Sequence, residues 1–328
     1  MKKIINDPKN VVTEMLAGLT YAYGGIVEKL PDFEVIKRTA PKTGKVALVS
    51  GGGSGHEPSH AGFVGDGMLS AAVCGAVFTS PTPDQIFEAI QAVDEGQGVF
   101  LIIKNYSGDI MNFEMAKEMA EMEDIDVEFV VVDDDIAVED SLYTQGKRGV
   151  AGTVLVHKIL GAAARKGASL AEIKELADQI VPNIKTIGVA LSGATVPEVG
   201  KPGFVLADDE MEYGVGIHGE PGYRKETLKP SKELAAELIG KLKAEFEFNE
   251  GDQFALLVNG LGATPLMELF VFTQDVAELL NATPVTVPFK KVGNYMTAID
   301  MAGLSVTLMK VTSELVDYLN EDVTTIAW

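Results

Sequence analysis

The strongest constraint on the fold is a rhythm. Short apolar runs of strand length, at residues 46–49 (VALV), 99–103 (VFLII) and 127–132 (VEFVVV), are separated by helical patterns at 83–93 and 109–122. Strands that are apolar on consecutive residues must bury both faces, and intervening helices supply the cover. The rhythm predicts an α/β chain whose first sheet is largely parallel and flanked by helices. An N-terminal helix over 8–23, with Val11, Met15, Leu19 and Tyr23 at fourfold spacing, and two more near 152–166 and 169–180 belong to this half. A second set follows, with strands at 186–191, 254–258, 284–288 and 304–311, an extended run at 213–218, and helices at 231–246 and 265–281. The reading is of two α/β domains, 1–183 and a smaller 184–328, with the boundary near 183–185.

Charge narrows the partners. A net charge of −21 repels phosphate backbones and anionic lipid, so nucleic acid and membrane surfaces are excluded as expected partners. No 18-residue apolar stretch predicts a transmembrane span, and the opening MKKIINDPKN is not a secretory signal, so the expectation is cytoplasmic. The lone cysteine, Cys74, rules out an internal disulfide or a cysteine-based zinc knuckle and suits a reducing compartment.

The stretch GGGSGHEPSHAG at 51–62 carries the chemistry. His56-Glu57-Pro58-Ser59-His60 matches H-E-x-x-H, a zinc pattern that works because residues four apart share one helix face. Pro58 inside the motif breaks that logic, since proline is tolerated only in a helix's first turn. No Gly-Lys-Ser/Thr follows, which excludes a Walker loop, and neither register of G-x-G-x-x-G keeps its third glycine. What remains is a strand running into four glycines in five residues. That predicts a ligand loop at the carboxyl end of a parallel strand, with backbone N–H groups converging on an oxygen-rich ligand and His56 at its rim.

A second strand of the same type ends in Lys104, and Asp109 opens the helix after it. Taken alone, Asp109 reads as an N-cap and Lys104 as a snorkelling strand end. Together with His56 they form a carboxylate, an ammonium and an imidazole at one sheet edge, the makings of acid–base chemistry. Of the four histidines, His157 lies in an apolar helical run and reads as structural. His60 caps or lines the first loop. His218, in YGVGIHGEPG, sits between Gly216 and Gly219 on an exposed, bendable loop.

With GGGSGHEPSHAGFVGDGMLSAAVCGAVFTSP, LIIKNYSGDIMNFEMA and GVGIHGEPG side by side, the chain resembles the dihydroxyacetone-binding subunits of the bacterial dihydroxyacetone kinase family, over essentially its whole length. The resemblance implies that a ring nitrogen of His218 adds to the ketone carbon as a hemiaminal. It implies that Gly53, Ser54, Gly55 and His56, with Lys104 and Asp109, hold the hydroxyls, and that His56 and Asp109 are the acid–base pair. It further implies no cofactor in this chain. The single-chain members carry an additional ATP-binding helical domain, for which a chain ending at Trp328 leaves no room. The expected form is therefore the phosphoenolpyruvate-dependent one, in which a separate ADP-carrying subunit, with its magnesium, delivers the phosphoryl group to a homodimer. Asp133-Asp134-Asp135 and Asp208-Asp209-Glu210 are read as solvated turns rather than metal ligands. Some members of the family instead sense dihydroxyacetone and co-activate a transcription regulator, which is the alternative reading.

Overall fold

A computed structural model describes residues 2–139 and 144–328. The first half contains β1 (Val27–Lys29), β2 (Val35–Arg38), β3 (Ala47–Ser54), β4 (Ala71–Val77), β5 (Val99–Lys104) and β6 (Val127–Val132), in sheet order β1-β2-β4-β3-β5-β6. Pairing is parallel from β4 through β3 and β5 to β6, with β1 and β2 added antiparallel at one edge. Its helices are α1 (Val11–Tyr23), α2 (Pro83–Val93), α3 (Ser107–Met122), α4 (Thr153–Arg165) and α5 (Leu170–Ile180). Side chains alternate across a strand, so Val49, Leu101 and Ile103 pack with α2 and α3, while Leu48, Phe100 and Ile102 pack with α4 and α5. This is the two-sided cover that the continuous apolar runs require.

The second half contains β7 (Ile184–Ala190), β8 (Glu210–Tyr213), β9 (Arg224–Thr227), β10 (Gln253–Gly260), β11 (Thr286–Gly293) and β12 (Gly303–Val311), ordered β11-β10-β12-β7-β8-β9. Among the described residues, β10 and β11 are the one pair of strands in this sheet that runs parallel. Helices α6 (Ser231–Glu245) and α7 (Leu266–Asn281) cover one face, and α8 (Ser313–Asn320) lies toward the other. One apolar core joins the halves: Leu155 and Ile159 of α4 share it with Ala255, Leu257 and Met309 of the second sheet. Consequently α4 is buried from Thr153 to Ala164, all round its circumference.

Several expectations change. The glycine stretch is not a loop, because Gly51, Gly52 and Gly53 belong to β3 and pair with β4. The run after Tyr213 leaves the sheet instead of staying extended. The strand expected at 284–288 is the edge strand β11, shifted to Thr286–Gly293; its pairing slips where Pro288, which has no N–H, falls. In α1 the buried residue is Leu16, and Tyr23 is 44% exposed, because fourfold spacing drifts away from a 3.6-residue turn. Asp134 and Asp135 are buried rather than solvated. Asp134 accepts from the N–H groups of Val150 and Gly152 and from the Thr186 hydroxyl, and Asp135 pairs with buried Arg148. Asp208, Asp209 and Glu210 are exposed.

Candidate active site

The glycines of β3 are there because other groups come close. A Cβ on Gly53 would lie 2.5 Å from the backbone nitrogen of Thr79, in the turn after β4. Gly52 has φ of +149°, and a Cβ there would collide with Nζ of Lys104. The Lys104 side chain is thus folded under the strand instead of reaching solvent, and the residue is 1% exposed. Its Nζ faces Gly51 O at 3.1 Å, His60 Nε2 at 3.3 Å and Asp109 Oδ2 at 3.4 Å. Asp109 is not the N-cap, a position held by Tyr106; it sits within the first turn of α3, buried, where the helix N-terminus favours a carboxylate.

His60 caps nothing through its side chain. Its Nδ1 lies 2.8 Å from Nε2 of His157, which projects from α4. Burial, then the Lys104 charge, drives both rings toward neutrality, and His157 is lowered to about 3.

His56 is fully buried rather than at a rim. Its Nδ1 donates to the carbonyl of Thr297 at 2.7 Å, and its Nε2 lies 3.1 Å from Nε2 of His218. The segment around Thr297 is laced to this turn, with Ile299 N–H donating to Gly55 O and Thr297 N–H to His56 O. His218 is not on a loose exposed arm; its side chain is 16% accessible. A turn closes on it through Gly216 N–H to Glu220 O, and the Glu220 carboxylate accepts both the His218 backbone N–H and Nδ1–H, each at 3.0 Å. Phe78 and Tyr106 present edge-on ring contacts to it, with centroids at 5.2 and 4.6 Å. Beneath, Arg148 ties Gly214 O to Asp135 and so anchors the base of the arm.

The acceptor-only partners define which ring nitrogen carries the proton on the outer side of each member of the His56–His218 pair. Thr297 O can only accept, so His56 Nδ1 carries a proton; the Glu220 carboxylate can only accept, so His218 Nδ1 carries another. The two Nε2 atoms face each other at 3.1 Å, close enough for a single proton to bridge them. Burial, then His218 and Lys104, disfavours a positive charge on His56. Burial pushes the Glu220 carboxyl up, but the His218 hydrogen bond and charge outweigh it and hold it at about 2.

An open cleft of about 570 Å³ is lined by Gly53, Phe78, Tyr106, Asp109, Asn112 and His218, among others. The structure therefore gathers Gly53, Asp109 and His218 at one surface, with His56 behind His218 and Lys104 behind Asp109. It does not bring Ser54 or Gly55 to the cleft: the Ser54 hydroxyl donates to Gly75 O, and Gly55 N–H donates to the Glu57 carboxylate. His56 and His60 address different partners, so the H-E-x-x-H spacing defines no common metal position. Among the described residues no cluster of three or more His, Cys, Asp or Glu side chains could hold a metal ion. Glu220 was missed in the sequence, although a carboxylate two residues beyond a candidate nucleophile is a usable signal.

The fold and site define an α/β protein with a carboxylate-oriented imidazole, a second imidazole, an ammonium and a carboxylate at the carboxyl edge of a parallel sheet. That set suits addition to a small polar carbonyl compound. The Dak1 domain family model matches residues 17–327. The dihydroxyacetone-binding subunit of the PTS-dependent dihydroxyacetone kinase of Lactococcus lactis is 71% identical, over 100% of this chain and 99% of that protein. The DhaKLM operon coactivator DhaQ of the same organism is 46% identical over 99% of this chain and 100% of its own. Among solved structures, the dihydroxyacetone kinase of C. freundii superposes with a TM-score of 0.92 at 34% identity, covering 100% of this chain and 60% of that one. The operon co-activator Dha-DhaQ superposes at 0.91, with 46% identity over 96% of this chain and 97% of that one. The chain belongs to the Dak1 family of the dihydroxyacetone kinases. No helix among the described residues is long and apolar enough to cross a membrane.

Proposed function

We propose that this chain is the dihydroxyacetone-binding subunit of a phosphoenolpyruvate-dependent dihydroxyacetone phosphotransferase. One observation carries the reading: His218 Nε2 faces His56 Nε2 at 3.1 Å while Glu220 holds His218 Nδ1 from the other side. Glu220 fixes the tautomer that leaves Nε2 as the nucleophile. On addition, starting from the state in which His56 Nε2 carries a proton and donates it toward His218, the Nε2–C bond forms, the carbonyl π bond breaks, and that proton passes to the carbonyl oxygen. Three protons remain, on His56 Nδ1, His218 Nδ1 and the new hydroxyl. The resulting ring cation still faces Glu220. Glycerol has no carbonyl and is refused by chemistry rather than shape.

Captured this way, a primary hydroxyl of the substrate lies toward Asp109. Asp109 takes its proton as the oxygen bonds phosphorus and the donor's P–O bond breaks. Lys104, held behind Asp109, offsets the developing negative charge. Gly53 lets the backbone approach the substrate. ADP and magnesium belong to a separate docking subunit, and the chain works as a homodimer. The likeness to the Lactococcus co-activator supports a second reading, a sensor that captures dihydroxyacetone without turnover. The deciding experiment combines the purified chain with the ADP-loaded partner subunit, its phosphoryl donor and dihydroxyacetone. Formation of dihydroxyacetone phosphate is expected; a well-folded chain that forms the adduct yet yields none is the sensor.

A further inference from the structure

The chain His157–His60–Lys104 runs from the middle of α4 to the back of the cleft, and the reaction above uses only its last member. We propose that His60 and His157 are positioning residues for Lys104: a closed string of two neutral imidazoles, each protonated on Nδ1, that holds Lys104 as an ammonium aimed between Gly51 and Asp109. The catalytic part of this inference rests on the proposed function; the protonation pattern does not.

Donors and acceptors around Lys104 match one for one. An ammonium has three N–H groups, and Lys104 Nζ has three neighbours at 3.1, 3.3 and 3.4 Å. Gly51 O and the Asp109 carboxylate can only accept. Both are satisfied by an ammonium, and His60 Nε2 then accepts the third N–H. His60 must carry its own proton on Nδ1, which it donates to His157 Nε2 at 2.8 Å. His157 is left with its proton on Nδ1, and that atom is buried with no hydrogen-bond partner among the described residues.

The string is therefore a dead end. A proton leaving Lys104 along it would have to finish as a charge on His157, inside a helix buried on every side. Burial opposes that charge, as it does on His60. The string cannot act as a wire to solvent; it locks the charge where it is. Burying an unpaired N–H is unfavourable, and in TVLVHKILGAAA a leucine at 157 would continue the apolar pattern. A role in fixing Lys104 accounts for a histidine there. Asp109 gains a constant neighbour, and the site keeps one positive charge that substrate entry does not displace.

The test is nitrogen NMR on the full chain labelled with ¹⁵N-histidine, whose four histidines are assigned from single variants. His60 and His157 are expected as neutral Nδ1–H tautomers, unchanged from about pH 8 to about pH 6. An Nε2–H tautomer or a titration in that range at either ring overturns the inference. Kinetics in the coupled assay supply the second arm. His60→Leu should lower kcat about tenfold or more, with KM and adduct formation within about threefold, because one hydrogen bond to a charge is lost. His60→Gln should recover most of it, since its amide can accept from Lys104 and donate to His157. Equal loss in both variants, or loss confined to adduct formation, overturns the positioning role. Absence of turnover in the unaltered chain would sink the proposed function and leave the tautomers standing.

Discussion

His56 and His60 stand four residues apart, and each ring meets one other histidine, yet the two pairs are built for opposite ends. His56 meets His218 across the two halves, at the edge of an open cleft, with a carboxylate behind the second ring. His60 meets His157 within the first half, on α4, and among the described residues neither ring has a carboxylate as a hydrogen-bond partner. The first pair sets two Nε2 atoms face to face, with the Glu220 carboxylate placed to balance a positive charge on the second ring. The second pair is neutral and abuts a fixed ammonium. An imidazole pair becomes reactive or inert according to its third partner and its access to substrate, not its spacing.

The comparison can be broken most sharply at the residues flanking each pair. Asp109→Asn should leave hemiaminal formation intact and slow phosphoryl transfer about 10²- to 10⁴-fold, the usual range for a lost general base. Retained transfer would remove Asp109 from that role. Glu220→Gln keeps a hydrogen-bonding group beside His218 but removes the balancing charge. Adduct formation should slow by about 10- to 100-fold, measured as the rate of mass gain under mild ionisation, because a hydrogen bond to a charged group contributes about 1.5 to 3 kcal/mol. An unchanged rate would show that Glu220 orients nothing.

The inert pair makes the smallest prediction. Folded His157 takes a proton near 3, whereas an unfolded histidine takes one near about 6.5. Between those values the unfolded chain binds more protons, so stability falls as pH falls. His157 alone should cost roughly 2 kcal/mol of unfolding free energy between about pH 7 and about pH 5. Denaturant melts should show this drop, and His157→Leu should flatten it by the same amount. Equal slopes would mean that His157 binds its proton as readily in the native state as in the unfolded chain.

Much of this was legible in the residues. Continuous β-branched runs placed β5 and β6, and helix periodicity placed α2, α3, α6 and α7. The strand β4, AAVCGAV, was not foreseen, because alanine and glycine carry little strand preference. The same bias made the β3 glycines read as a loop. Their reason, the Lys104 amine and the turn at 78–79, lies outside the stretch itself. His56, Lys104, Asp109 and His218 were identified as chemistry-bearing residues from their setting at strand ends or in glycine-rich turns. The His60–His157 pairing spans 97 residues and leaves no local trace. Nor do the partners of Asp134 and Asp135, where a run of three aspartates ordinarily means solvent.

The account stands on one covalent bond, and the most direct measurement looks for it: a one-bond ¹⁵N–¹³C coupling between ¹⁵N-histidine-labelled chain and dihydroxyacetone carrying ¹³C at its ketone carbon. The expected result is a coupling to Nε2 of His218, present in the intact chain and absent in His218→Ala, with the ketone carbon moved from a carbonyl to a tetrahedral resonance. Tight binding without that coupling, or a coupling that survives in His218→Ala, would contradict it.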